Sequence, residues 1–267
     1  MTTSDSKEYY SPMKTFLFLI SLSLMLPVWA DCQGPVETIV VGDSQTGGSW
    51  SKSYFGNFLQ TCLEKDFVVF GKGGSVISSW LGKGGLDNVE IIQRDPLNPQ
   101  LNIGIGDAVP LCKKRISPML DAYAPKKILF FFGDNYIASP DDEIARETEA
   151  LMKLMTEKNI SSSDCYFLTP TYEMQIQTKR NVPRKNLANT QRIATVIKKT
   201  LKDRCQLLDG LELMKDPAFY DGNELLKRVQ IEGKPGCSGA ASNDNIHICG
   251  EAAKDLALRV CQSLNNH

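Results

Sequence analysis

The sequence predicts an α/β domain built on a doubly wound, mostly parallel sheet of five strands. Two observations carry that prediction. Short apolar runs alternate along the chain with longer segments of helical period, the pattern left by strand–helix–strand crossovers. One of the runs, Lys127–Phe132 in KKILFFFGDN, is apolar on consecutive positions, as in a strand covered on both faces. At 267 residues the chain is long enough for one such domain, and two are not required.

The first segment stands apart from the fold. MKTFLFLISLSLMLPVWADCQG has Lys14, an apolar run from Phe16 to Leu26, and then Pro27. Val28-Trp29-Ala30 places small residues at the first and third positions of a cleavage site. This is the anatomy of a secretory signal peptide over residues 1–30, with Met13 as an alternative start. The run is short for a membrane span, so a secreted or periplasmic chain with no integral span after cleavage is expected, and an uncleaved anchor is the alternative.

All eight cysteines lie beyond that point. An even number in an exported chain points to disulfides, although eight cysteines allow 105 pairings. Cys165 with Cys205 is expected, because each introduces a strand candidate. Cys237 with Cys249 is expected to brace the segment before the only internal histidine. Buried free thiols are the alternative. No CxxC pair or Cys/His cluster has zinc spacing, and no metal or other cofactor is expected. The formal net charge of −1 leaves no basic excess for phosphates, which argues against an obligatory nucleic-acid partner.

The strand candidates, in order, are Thr38–Val41, Phe67–Phe70, Lys127–Phe132, Cys165–Leu168 and Gln206–Leu208. The clearest helix is SPDDEIARETEALMKLMTEKN. Ser139 is its expected cap, Pro140 suits its first turn, and Asp141, Asp142 and Glu143 suit the positive end of its dipole. Ile144, Leu151, Met152 and Met155 recur at helical spacing and read as core. Pro183–Lys202 and Gly250–Asn265 read as two more helices. Gly82–Pro110, rich in Gly, Pro, Asn and Asp, shows no period; it reads as a functional loop, with a small hairpin as the alternative.

Four features fall at strand ends or before the last helix: Gly42-Asp43-Ser44, GKGGSVISSW, Gly133-Asp134-Asn135, and Asp244-Asn245-Ile246-His247. In an open α/β sheet the carboxyl ends of the strands form the crevice where ligands bind. Ser44 is a weak nucleophile until a base takes its proton. His247 is the candidate base, because the other histidine, His267, is the last residue. Asp244, three residues earlier, is placed to orient the imidazole if the segment turns. The backbone N–H of Ser44, a backbone N–H in the Gly73-Gly74 turn and the Asn135 amide are candidate donors to an oxyanion. Asp43 reads as structural, bonding backbone within its turn. The bland readings are an ordinary turn at Ser44, a turn former at Asn135 and a structural histidine at 247. Trp80 reads equally as a pocket wall and as a core residue, and Gln175–Lys185 more as a solvated basic face than as a site for an anionic substrate.

These blocks resemble those of the SGNH (GDSL-type) esterase and lipase superfamily, which sets Ser, Gly, Asn and His in this order on a flavodoxin-like sheet. VVGDSQ matches the Ser block, GKGGSVISSW the Gly block with Gly74 preferred over Gly73, FFGDN the Asn block and DNIH the Asp-x-x-His block. The resemblance spans Thr38 to about Leu264. It implies a three-layer fold, one hydrolase domain over residues 31–267, and the roles of Ser44, Gly74, Asn135, Asp244 and His247 given above. The family often has Leu after Ser, where Gln45 stands, and Asp after Asn, where Tyr136 stands.

Competing motifs fail. Neither Gly71–Ser75 nor Gly82–Gly85 completes a phosphate loop or a dinucleotide fingerprint, and Thr46 replaces the second glycine of a G-x-S-x-G elbow. The implied activity is a serine carboxylic-ester hydrolase. GGSxxxxW resembles the carbohydrate deacetylases of the superfamily more than its lipases, so O-acetyl groups on carbohydrate or peptidoglycan are the expected substrate. A lipase or lysophospholipase is the nearest alternative, and a non-catalytic glycan-binding protein the alternative from another class.

Overall fold

The five runs that read as strands form a continuous parallel layer, and an antiparallel pair extends its edge. In a computed structural model the described residues are Cys32 and residues 34–47, 55–63, 66–83, 86, 89–93, 102–106, 111–171, 187–215 and 247–265. Within the unit Gly34–His267, the strands are β1 (Thr38–Gly42), β2 (Phe67–Gly71), β3 (Val89–Gln93), β4 (Asn102–Gly106), β5 (Lys127–Phe131), β6 (Cys165–Leu168) and β7 (Gln206–Leu208). The sheet order is β4-β3-β2-β1-β5-β6-β7. Strands β2, β1, β5, β6 and β7 are mutually parallel. Counted among themselves they run 2-1-3-4-5, the flavodoxin-like order.

Strands β3 and β4 resolve the ambiguous stretch after Gly82 in favour of the hairpin. β3 pairs antiparallel with β2, Val69 opposite Ile92, and β4 pairs antiparallel with β3, Gly104 opposite Ile91. Their sequences, VEIIQ and NIGIG, hide the pattern: one carries a carboxylate and the other interrupts its isoleucines with glycine. The expected five strands are therefore present, within a sheet that has seven among the described residues.

The helices are α1 (Phe55–Leu59), α2 (Ile116–Tyr123), α3 (Asp141–Glu157), α4 (Leu187–Leu201), α5 (Gly210–Leu213) and α6 (Gly250–Asn265). Side chains alternate across a strand, and both sets are buried here. Val40, Val69, Leu129, Phe131, Tyr166 and Leu168 pack in one core with Phe55 and Leu59 of α1 and with Leu256 and Val260 of α6. The intervening Ile39, Val41, Phe70, Phe130 and Phe167 are buried too, and the Phe70 ring meets Tyr123 of α2 edge-on. Each such side chain removed from water contributes roughly 1.5–3 kcal/mol. Helix α3 begins one residue later than its sequence suggests. Pro140, not Ser139, is the cap residue; its carbonyl accepts from the N–H groups of Glu143 and Ile144. Ser139 is held elsewhere, its N–H on the Tyr136 carbonyl and its own carbonyl on Arg192.

Cys165 and Cys205 are bonded, joining the starts of two neighbouring parallel strands as expected. Cys62–Cys261, which the sequence did not single out, fastens α1 to α6. Cys249 is disulfide-bonded; its expected partner Cys237 lies outside the described residues, as do residues 1–30. Among the described residues no helix is long and apolar enough to cross a membrane.

Two stability predictions follow from this packing. The Cys62–Cys261 bridge closes a separation of 199 residues, and constraining so long a loop in the unfolded chain is worth typically about 2–4 kcal/mol. The double variant Cys62→Ala/Cys261→Ala is expected to lose about that much stability in urea unfolding. Tyr123 has a fully buried hydroxyl with no hydrogen-bond partner among the described residues, and burial raises its pKa from 10.0 to about 12. The folded state favours the neutral phenol, so this stability is complete below pH 10 and is lost as pH rises from 10 through about 12. Tyr123→Phe is expected to flatten the alkaline loss measured by denaturation between those pH values, with neutral-pH stability unchanged or raised.

Candidate active site

Three of the four sequence blocks leave the carboxyl ends of three adjacent strands, β2, β1 and β5. Strand order reverses between β1 and β5, which makes their ends the topological switch point where open α/β sheets bind ligands. Pairing of Gly42 with Gly71 and with Phe131 sets the turns that follow at one level.

After β1 the chain turns on Asp43, which is buried. Its Oδ1 accepts from the Gln45 N–H at 3.0 Å, and its carbonyl accepts from the Thr46 and Gly47 N–H groups at 3.1 Å each. The structural reading of Asp43 therefore holds, and Ser44 sits half-buried on the bend. After β2 the chain turns again, with the Ser75 N–H on the Lys72 carbonyl at 3.2 Å. Gly74 occupies the third position of that turn with φ +72°, where a type II turn requires a residue free of a Cβ. The turn's own bond uses Ser75, so the Gly73 and Gly74 N–H groups are not committed to it. A Cβ placed on Gly73 would lie 4.0 Å from the Ser44 Cβ, which puts the glycine turn beside the serine.

The Asn block is shaped by Gly133, at φ +143°, where a Cβ would stand 2.1 Å from the Pro170 ring. A single helical turn, Asp134–Tyr136, follows. From it Asn135 Nδ2 donates to the Ser75 carbonyl at 2.9 Å and, at 3.4 Å, to Asp43 Oδ2. The serine, glycine and asparagine blocks are thus joined through one side-chain amide. Trp80 is fully buried; its Nε1–H donates to Ser75 Oγ at 3.0 Å and its ring lies against Phe132. It braces the glycine turn from the core, in line with the second of the two readings open for Trp80.

His247 is half-buried, two residues before Cys249 and three before the start of α6. The backbone N–H of its neighbour Ile248 donates to Gln45 Oε1 at 3.1 Å, so the histidine segment is tied to the residue after Ser44. Asp244 and the basic stretch Gln175–Lys185 lie outside the described residues. Among the described residues no three His, Cys, Asp or Glu side chains group as ligands for a metal ion.

No family model and no curated protein sequence matches the chain. Solved structures do. It covers 94% of its length on a GDSL-like lipase from Bacteroides thetaiotaomicron, matching 97% of that chain with 12% identity and a TM-score of 0.50. An aryl esterase from M. smegmatis matches 86% of this chain and 99% of its own, with 14% identity and a TM-score of 0.50. A carbohydrate acetylesterase family member from Sinorhizobium meliloti matches 86% and 100%, with 14% identity and a TM-score of 0.50. The chain has the SGNH hydrolase fold.

In this SGNH fold a second buried network holds the glycine and asparagine turns together. Tyr136 Oη donates to Glu147 Oε2 at 2.5 Å and accepts from the Ile77 N–H at 2.9 Å. The same carboxylate oxygen accepts from the Ser78 N–H at 2.9 Å. Burial and the Glu147 carboxylate both push the Tyr136 phenol well above its ordinary pKa, so it stays a donor. On the outer side Arg192 of α4 donates to the carbonyls of Tyr136, Ile137 and Ser139 at 3.4, 3.3 and 3.2 Å and pairs with Asp141. Sequence reasoning missed this network. Its signal was Glu147, three residues after Ile144 and four before Leu151 on the buried face of α3. Tyr136→Phe strips Glu147 and the Ile77 N–H of a buried partner. It is expected to cost about 1–3 kcal/mol in denaturant unfolding, whereas substitution of the exposed Glu157 is expected to change little.

Proposed function

We propose that the protein is an exported serine esterase that removes small acyl groups, above all O-acetyl groups on carbohydrate or peptidoglycan. The observation that carries the reading is the meeting of the Ser44, Gly73-Gly74 and Asn135 turns at the switch point, joined by the Asn135 amide to Ser75 and Asp43. In the proposed reaction Ser44 Oγ attacks the ester carbonyl while His247 takes its proton, with Asp244 orienting the imidazole. The oxyanion that forms is met by the N–H groups of Ser44 and Gly74 and by the Asn135 amide, each such donor being worth about 3 kcal/mol of barrier. Collapse expels the alcohol, which receives the proton from His247, and water then releases the acid from Ser44 by the same steps in reverse.

Export is supported by the signal-peptide pattern of residues 1–30 and by the bridges Cys62–Cys261 and Cys165–Cys205, since disulfides persist in oxidising compartments. The acetyl preference is supported by the GGSxxxxW stretch and by the likeness in fold to a carbohydrate acetylesterase family member.

The test is release of nitrophenol from short acyl esters and of acetate from acetylated cell wall and xylan by the purified chain. Ser44→Ala and His247→Ala are each expected to lower turnover about a thousandfold or more with unchanged circular dichroism. Activity retained in either variant refutes the assignment. Rates are expected to fall from acetyl to octanoyl esters; the opposite order marks a lipase. Glycan binding with no labelling of Ser44 by a fluorophosphonate marks the non-catalytic alternative.

A further inference from the structure

Gln45 follows Ser44 at a place where the family pattern often sets leucine, and its side chain is not idle. It is only 1% exposed. Its backbone N–H is bonded to Asp43 Oδ1 at 3.0 Å, which anchors the base of the side chain. Its Oε1 accepts from the Ile248 N–H at 3.1 Å, and Ile248 is itself 1% exposed. The bond joins residues 203 apart in sequence, each the immediate successor of a residue assigned to the reaction. In so dry a place a backbone N–H left without its acceptor loses its hydration as well as its bond, so the two segments separate only at real cost. Leucine here would fill the space and offer no acceptor.

We infer that Gln45 is a positioning residue, whose Oε1 holds the backbone of the His247 segment within reach of Ser44. The inference rests on the proposed roles of Ser44 and His247. In this role Gln45 acts through the histidine and not on the substrate. A proton acceptor displaced by about an ångström costs on the order of a hundredfold in rate, while substrate binding is left intact.

The experiment is a double-mutant cycle on short acyl esters with Gln45→Met, which keeps the length of the side chain and removes its acceptor, and His247→Ala. Gln45→Met alone is expected to lower kcat about tenfold to a hundredfold with KM unchanged and a thermal transition that is lowered but still cooperative and above the assay temperature. In the His247→Ala background it is expected to change the residual rate less than twofold, because nothing remains for it to position. Equal losses in both backgrounds, or a loss that appears in KM alone, overturn the inference and leave the serine esterase reading standing. Full activity in His247→Ala overturns that reading itself. If Gln45→Met does not fold, Gln45→Asn takes its place in the cycle, keeping the amide but withdrawing its oxygen by one methylene. In the wild-type chain the Ile248 amide is expected to exchange its hydrogen slowly, and fast exchange there also overturns the inference.

Discussion

The site depends on one amide. Asn135 Nδ2 bonds the Ser75 carbonyl at 2.9 Å and Asp43 Oδ2 at 3.4 Å, and through those two contacts the turns after β2, β1 and β5 share one fixed point. The two bonds differ in length, and the difference has a chemical use. The shorter one orders the glycine turn. The longer one is weak by hydrogen-bond standards, and its acceptor Asp43 keeps the Gln45 N–H when it is released. In the proposed reaction an oxyanion therefore competes for a donor that is held in place but loosely engaged. That is the condition electrostatic preorganisation requires, a dipole aimed before the charge appears.

Around this point the chain has made the glycine turn unusually stiff. Ser75 uses all of its polar groups nearby: its N–H and hydroxyl reach the Lys72 carbonyl, its carbonyl takes Asn135, and its Oγ takes Trp80. The next residues are pinned by Tyr136 and Glu147. A buried carboxylate without partners would be costly, but Glu147 accepts from a phenol and a backbone N–H, and so orders two loops from one helix. The tyrosine that departs from the family pattern is the part that makes this connection.

The sheet and three of the site's turns were legible because they follow from backbone rules. Lys127–Phe132 reads as a two-sided strand from its unbroken apolar run, and Gly42-Asp43-Ser44 reads as a turn from its residue types. The ties between turns were not legible, since each joins residues dozens to hundreds of positions apart. Nothing local in Gln45, Ser75 or Glu147 states which backbone group it will meet. Trp80 was open for a related reason, as the choice between wall and core rests on the distant Phe132 as well as on the nearby Ser75. Cys62 and Cys261 lie far apart in sequence and flank no strand, so their pairing waited on the packing of α1 against α6.

His247, the proposed base, does not follow a strand of the parallel layer as the other proposed site residues do. Ser44, Gly74 and Asn135 extend directly from strands in fixed register, so an error in one is shared by all. His247 instead precedes α6, and a helix set on a sheet is free to slide and rotate within its packing. Besides the disulfide at Cys249, three contacts among the described residues limit that freedom. Cys62–Cys261 fastens the distal half of α6 to α1, Lys127 at the start of β5 donates to the Leu264 carbonyl near the helix end, and Gln45 takes the Ile248 N–H at the proximal end. The first two hold the axis far from the site, where a small rotation about them becomes a larger displacement of the histidine. The Gln45 bond acts beside it, as does the disulfide at Cys249. In the proposed reaction the distance between Ser44 and His247 depends on such ties as well as on the sheet, and one of them is a hydrogen bond from Gln45, where the family pattern often sets leucine.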